Sequence, residues 1–133
     1  MGNFNIIEVE SARQIKQWLD SPAKLYKKDP YYVRPLDNEV EGIFDRSKNK
    51  LFRHGDATRF LLTDKNNNIV GRIAAFYDKK TSSTYEKEEN GQPTGGCGFF
   101  DCIDNQEAAN TLFDAAKEWN LKQGMEAMDG PVN

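Results

Sequence analysis

A chain of 133 residues, 38% hydrophobic and 29% charged, has the composition of an ordinary globular protein and is expected to form a single domain over residues 1–133. At that length roughly two-thirds of the unfolded surface can be buried in one core. No apolar run approaches the ~20 residues that span a bilayer, and the start MGNFNIIEVE lacks the basic region and apolar core of a signal peptide, so a cytoplasmic location is expected. Its 18 basic and 21 acidic residues are mixed along the chain to a net charge of -3, which offers no basic face to nucleic acid.

Asn5 to Glu10 alternates as a first strand. Ser11 then reads as the N-cap of a helix carrying Ile15, Trp18 and Leu19, expected to end near Asp20. Ser21-Pro22 can open another short helix through Leu25 and Tyr26 before Asp29-Pro30 forces the chain out of helical geometry. Tyr31 to Val33 look extended, and Leu36, Val40, Ile43 and Phe44 recur at helical spacing. Ala57 to Thr63 and Ile69 to Tyr77 are two strands joined by a DKNNN turn, with Gly71 marking a bulge in the second.

The stretch from about 79 to 94 is polar, charged and closed by Pro and Gly, which reads as a mobile connection. CGFFDCI, Cys97 to Ile103, is the next strand, and its two cysteines, five apart, are expected on opposite faces and unable to pair. His54 is the only histidine and is distant from both in sequence, so no metal site is expected. Asp104 with Glu107 three residues later reads as a capping box for a helix with an apolar stripe from Ala108 to Trp119, and Gly124 suits its C-cap. MEAMD resumes as a strand. A strand, a helix of about five turns and a strand make a crossover unit, so the last two strands should be parallel. The expected fold is α+β, of the α/β three-layer type: a mixed, mostly antiparallel five-stranded sheet in the order β-α-α-β-β-β-α-β.

That order, with IVGRIAAF as a bulged third strand, GGCGFFDCID as a fourth and NQEAANTLFDAAKEWNLKQGM as a long helix leading to a fifth, resembles the amino-terminal lobe of the GNAT superfamily of acyl-CoA N-acyltransferases. More narrowly, DPYYVRPL, GRIAAF, GFFDCIDNQEAANTLFDAAKEW and MDGPVN resemble the bacterial ceramide-synthase-like branch. The resemblance implies acetyl-CoA or a longer acyl-CoA as co-substrate and an amine, lipid-like in that branch, as acceptor. It implies a CoA wall from Cys102, Ile103, Gln106, Glu107, Ala108, Ala109, Asn110 and Thr111, acting mainly through backbone N–H groups at the helix terminus. Of the family's pattern there, Gln or Arg, two residues, Gly, one residue, Gly or Ala, only Gln106 matches; Ala109 and Thr111 stand at the two small positions. Asp104 and Glu107 add negative charge that opposes a diphosphate.

Acyl transfer needs a base for the attacking amine and a proton for the departing thiolate. Asp101 shares a strand face with Phe99 and Ile103 by alternation, and Asp129 and Asn133 stand at the end of the last strand, so these three are the catalytic candidates; His54 reads more simply as a structural loop residue. Arg72 can meet a phosphate or pair with a cross-strand acid. The family's cleft is completed by a further helix and hairpin beyond MDGPVN. The reading is therefore of an acyltransferase lobe inactive as this short chain, or of a non-catalytic binding or assembly module, with a second copy as one cover for its open sheet edge.

Overall fold

The computed structural model describes residues 3–78 and 93–132. Strand β1 (Asn5–Glu8) is followed by helices α1 (Ala12–Leu25) and α2 (Asp37–Phe44), a 3-10 turn (Lys50–Arg53), strands β2 (Gly55–Thr63), β3 (Ile69–Asp78) and β4 (Thr94–Cys102), helix α3 (Gln106–Lys122) and strand β5 (Ala127–Val132). The five strands lie side by side in sequence order. The first three pairings are antiparallel and β4 with β5 is parallel, the mixed α+β sheet that the crossover pattern predicts. The polar connection expected at 79–94 lies outside the described residues except for its last two, and Thr94 already begins β4.

Helix α1 starts as the sequence predicts. Ser11 Oγ accepts the Gln14 N–H at 3.1 Å while Gln14 Oε1 accepts the Ser11 N–H at 3.0 Å, a reciprocal capping box. Its end differs: no break occurs at Asp20, and α1 runs through Pro22 as one helix. Proline has no N–H to offer the carbonyl of Trp18 one turn back. That carbonyl instead accepts the Ser21 hydroxyl at 2.9 Å and the Arg72 guanidinium, reaching over from β3, at 3.1 Å. A donor from a distant strand thus stabilises a helix that local propensity would end.

The β2–β3 turn is built on Asp64, whose carboxylate accepts the N–H groups of Asn66 and Asn68, both at 2.9 Å, with Asn67 left-handed at φ 63°. Leu62 faces Gly71 and Thr63 faces Ile69, so Val70 is the extra residue of a bulge beside Gly71. Strand β4 begins at Thr94, ahead of the expected Cys97, and takes Gly95 and Gly96 inside it. Helix α3 presses on it there: a Cβ at Gly95 would stand 2.0 Å from Asn120 Oδ1.

A second bulge decides which side chains of β4 point where. Arg72 faces Asp101 but Ala74 faces Gly98, so Ile73 spans Phe99 and Phe100, and Phe99 is left-handed at φ 51°. The slip breaks the alternation assumed for the cysteines. Cys97 is buried in the core under α3 and Cys102 packs against the same core, so the two share a face instead of opposing each other; both thiols are free. Burial raises the pKa of each thiol, which keeps both protonated. Phe99 and Asp101 do point together, toward α1, but Ile103, past the strand end, turns back to the α3 side.

Two cores result. Under α3 lie Leu62, Ile73 and Cys97 against Ala108, Leu112 and Ala116; under α1 and α2 lie Trp18, Val40, Leu61 and Ala74, flanked by Phe44 and Phe99. Complete burial of a leucine such as Leu112 contributes about 1.5–3 kcal/mol.

Candidate functional site

The wall of the candidate site is the end of β4 and the start of α3. Thr94, Gly95, Gly96 and Gly98 pair with Ala127, Met128, Asp129 and Val132, with one residue of slip between the last two pairs. Beyond Gly98 the strand continues to Cys102 with no β5 partner among the described residues. Phe99 to Cys102 therefore present one backbone edge that is free among the described residues, and α3 begins at Gln106 shortly after it.

The helix start is closed differently from the expected capping box. Asn105, not Asp104, is the N-cap: it is extended at φ -152° and ψ 121°, and its Oδ1 accepts the Ala108 N–H at 3.0 Å. The Asn105 N–H bonds back to the Ile103 carbonyl at 2.8 Å, which leaves Asp104 exposed and one residue too early to cap. Glu107 does not reach back to the cap. Its carboxylate accepts the backbone and side-chain N–H groups of Asn3 at 3.2 and 3.4 Å. The Ala109 N–H bonds to the Asn105 carbonyl, Gln106 Nε2 donates to Asn110 Oδ1 at 2.8 Å, and Thr111 Oγ1 donates to the Glu107 carbonyl at 2.7 Å. The N–H groups of Gln106 and Glu107 have no acceptor among the described residues, and they sit at the positive end of a 17-residue helix.

Next to this wall, on the α1 side, Asp101 joins a buried polar cluster. Its Oδ2 accepts Arg72 Nε at 3.0 Å and its Oδ1 accepts the Tyr26 hydroxyl at 2.7 Å. Arg72 thus takes the cross-strand acid, one of its two expected partners, and also lies 4.2 Å over the Trp18 ring. Burial pulls the Arg72 pKa down while Asp101 holds it up. Burial, with the hydrogen bond to Asp101 adding to it, pushes the Tyr26 phenol up to about 12, so it is a neutral donor at any ordinary pH. A second guanidinium, Arg59, pairs with Glu41 and covers the Phe44 ring at 4.2 Å. Trp18 stands edge-on to Phe44 with ring centres 5.4 Å apart and is 5.5 Å from Phe99.

Beside that aromatic cluster is an open groove of about 270 Å³. Ile43 and Phe44 of α2, Leu51 of the 3-10 turn, and Ala57, Ala74 and Phe99 of three adjacent strands form it.

The other sequence candidates lie apart from this cluster. Asp129 is exposed on β5, in register with Gly96. Asn133 lies outside the described residues. His54 is exposed at the end of the 3-10 turn, and its neighbour Gly55 pairs with Asp78, six residues or roughly 20 Å along β3 from Arg72. Tyr26, Trp18 and Arg59 were not singled out for the site. One signal for Trp18 was available: a proline four residues after it, inside a helix, leaves its carbonyl in need of a donor.

No protein-family model matches the chain. Among solved structures it superposes on AAC(6')-Iy in complex with a CoA-containing bisubstrate analogue, with a TM-score of 0.61 and 13% identity over 99% of this chain and 81% of that one. It superposes equally on glucosamine-6-phosphate N-acetyltransferase from Arabidopsis thaliana, with a TM-score of 0.60 and 12% identity over 99% and 84% of the two chains. A GNAT-family acetyltransferase from Staphylococcus aureus gives a TM-score of 0.57 and 13% identity over 94% and 70%. In sequence the chain is 30% identical over 131 residues to a bacterial ceramide synthase of Caulobacter vibrioides, covering 98% of this chain and 33% of that protein. It is 29% identical over 123 residues to protein YghO of Escherichia coli, covering 90% and 29%. The chain spans about a third of the length of these two curated relatives. The protein therefore has the fold of the GNAT acetyltransferases, and almost all of it resembles one third of a bacterial ceramide synthase.

Proposed function

We propose that this chain is the acyl-CoA-binding lobe of an N-acyltransferase whose acceptor is an amine with a lipid-like tail. The observation that carries the reading is the free edge of β4 from Phe99 to Cys102, set beside the two unengaged N–H groups of Gln106 and Glu107. Coenzyme A carries amides along its arm, which can pair with a strand edge as a further strand would, and phosphates at its head, which suit a helix N-terminus. On this reading Cys102, Ile103 and Gln106 to Thr111 line the cofactor, with the N–H groups of Gln106 and Glu107 as the backbone donors of the helix start. The amine nitrogen attacks the thioester carbonyl; the C–N bond forms, the C–S bond breaks, the amine gives its proton to a base, and the thiolate takes one up.

Among the proton-handling candidates Asp101 has the most support, since it is half-buried beside the free edge. Both of its oxygens are hydrogen-bonded, so a proton would reach it through the Tyr26 hydroxyl. Asp129 and Asn133 are the alternatives at the end of β5. Support for a lipid-like amine comes from the likeness to a ceramide synthase and from the apolar groove next to Phe99. We take the lobe alone to be without turnover, because Asn105 caps one amide of the helix start and Glu107 adds a negative charge to its first turn.

Those same two residues favour a second reading, a binding or assembly module that keeps the fold without its chemistry. Calorimetric titration of the chain with acetyl-CoA and with a long-chain acyl-CoA separates the two. Saturable heat with either supports the acyltransferase lobe, and none with both overturns it.

A further inference from the structure

We infer that the groove beneath α2 is a binding site for an unbranched alkyl chain, with the reactive end of the ligand at Phe99 and its methyl end toward Leu51. The inference deepens the acyltransferase reading and rests on it for the direction of the chain.

The lining favours an apolar ligand over a polar one. Asn49 is the one polar side chain in it, and both ends of its amide are already engaged: Nδ2 donates to the Ile43 carbonyl at 2.7 Å, and Oδ1 accepts the Leu51 N–H at 3.0 Å. A hydroxyl or charge placed among Phe44, Leu51, Ala74 and Phe99 would give up part of its hydration and gain no side-chain partner in return. Methylenes lose nothing there. The floor is opened by choice of residue: Ala57 on β2 and Ala74 on β3 put methyl groups at strand positions where β-branched or aromatic side chains are usual, with Phe76 of β3 beside Ala57. The rings of Phe44 and Phe99 close the side nearest Trp18.

The shape selects a linear chain. The floor crosses from β2 through β3 to Gly98 and Phe99 of β4, two inter-strand spacings, or roughly 10 Å. At its β4 end the groove reaches Phe99, the left-handed residue where the free edge begins. An alkyl chain lying in the groove would therefore bring its functional end to the edge on which the thioester arm is placed.

Trp18 touches both aromatic walls and can report occupancy. The chain has one other tryptophan, Trp119 of α3, which packs on Tyr77 of β3, so Trp119→Phe leaves Trp18 as the sole indole. That variant is titrated with unbranched alkylamines and alkanoates of increasing length, without coenzyme A. Each added methylene is expected to tighten binding about four-fold, the equivalent of ~0.8 kcal/mol per buried CH₂. The gain should level off when the chain fills the roughly 10 Å floor. Adding Ala57→Phe should abolish binding by filling the floor. Leu51→Ala, at the rim, should weaken the longest chains about ten-fold by removing apolar wall; circular dichroism checks that each variant is folded.

Tighter alkylamines assign the chain to the acceptor, and tighter alkanoates assign it to the acyl group; both support the site. A titration with no saturable signal, an affinity indifferent to length, or folded variants that bind like the parent would each overturn it. Acyl-CoA binding by calorimetry with a flat alkyl series would defeat the groove and leave the acyltransferase reading standing, whereas the converse result would defeat that reading and keep the groove.

Discussion

The two faces of the sheet bury different chemistry. Under α3, Leu112, Ile73, Ala108 and Ala116 make an apolar layer in which both thiols are held protonated. Under α1 and α2, Arg59, Arg72 and Asp101 are packed against Trp18, Phe44 and Phe99, and the groove opens beside them. A domain that needed only stability could fill both faces with leucine, since buried ion pairs often gain nothing over hydrophobic residues of equal volume. On the proposed reading the charged face is the one with something other than stability to provide. It is also the face on which Asp101 and the groove meet the free edge of β4.

The largest effect that sharpens this contrast is expected from Arg72→Met. It leaves the Asp101 carboxylate without its cation and the Trp18 carbonyl with only the Ser21 hydroxyl, and should cost about 3–5 kcal/mol in urea unfolding. Replacing both partners, Arg72→Met with Asp101→Leu, should recover most of that loss. A double variant as unstable as the single one would mean that the pair holds the fold together and would break the contrast. On the other face Leu112→Ala should cost about 2–5 kcal/mol, with no compensating partner to remove.

A smaller effect is expected from Asn105→Ala, which frees the Ala108 N–H and should cost about 1 kcal/mol of stability by the same measurement. If the helix start is an anion site, this variant should also bind inorganic phosphate no more weakly than the parent.

The smallest effect is an alkaline pH dependence on the charged face. The Tyr26 phenol has an ordinary pKa of 10.0 and is raised to about 12 in the folded chain, so the folded state keeps a proton that the unfolded state releases. Its contribution is full below pH 10 and is lost as the pH rises from 10 to 12. Tyr26→Phe should flatten that alkaline slope in pH-dependent unfolding, leaving the parts due to Tyr32, Cys97 and Cys102, whose pKa values burial also raises. An unchanged slope would show that Tyr26 is not the buried donor to Asp101.

Much of this architecture is legible in the sequence because its signals are local. The Ser11 capping box, the DKNNN turn, the apolar stripe of α3 and the strand-helix-strand crossover each depend on residues a few positions apart. What was missed depends on distant partners. Helix α1 passes Pro22 because Arg72 reaches it from β3, and Gly95 and Gly96 belong to a strand because β5 and β3 pair with it, with Asn120 and the Phe76 ring in the space their side chains would take. The cysteines share a face because Phe99 bulges, a one-residue slip that alternation cannot foresee. The site follows the same division: Arg72 with a cross-strand acid was a readable alternative from strand pairing. Tyr26 required knowing that α1 stays helical to Leu25.

The most direct test of the account maps where a cofactor lands. In a titration of the isotope-labelled chain with a long-chain acyl-CoA, followed by backbone amide NMR, the largest shifts are expected at Phe99 to Cys102 and at Gln106 and Glu107. Saturable binding that leaves those amides unmoved and shifts residues elsewhere would contradict the placement of the site at the free edge of β4.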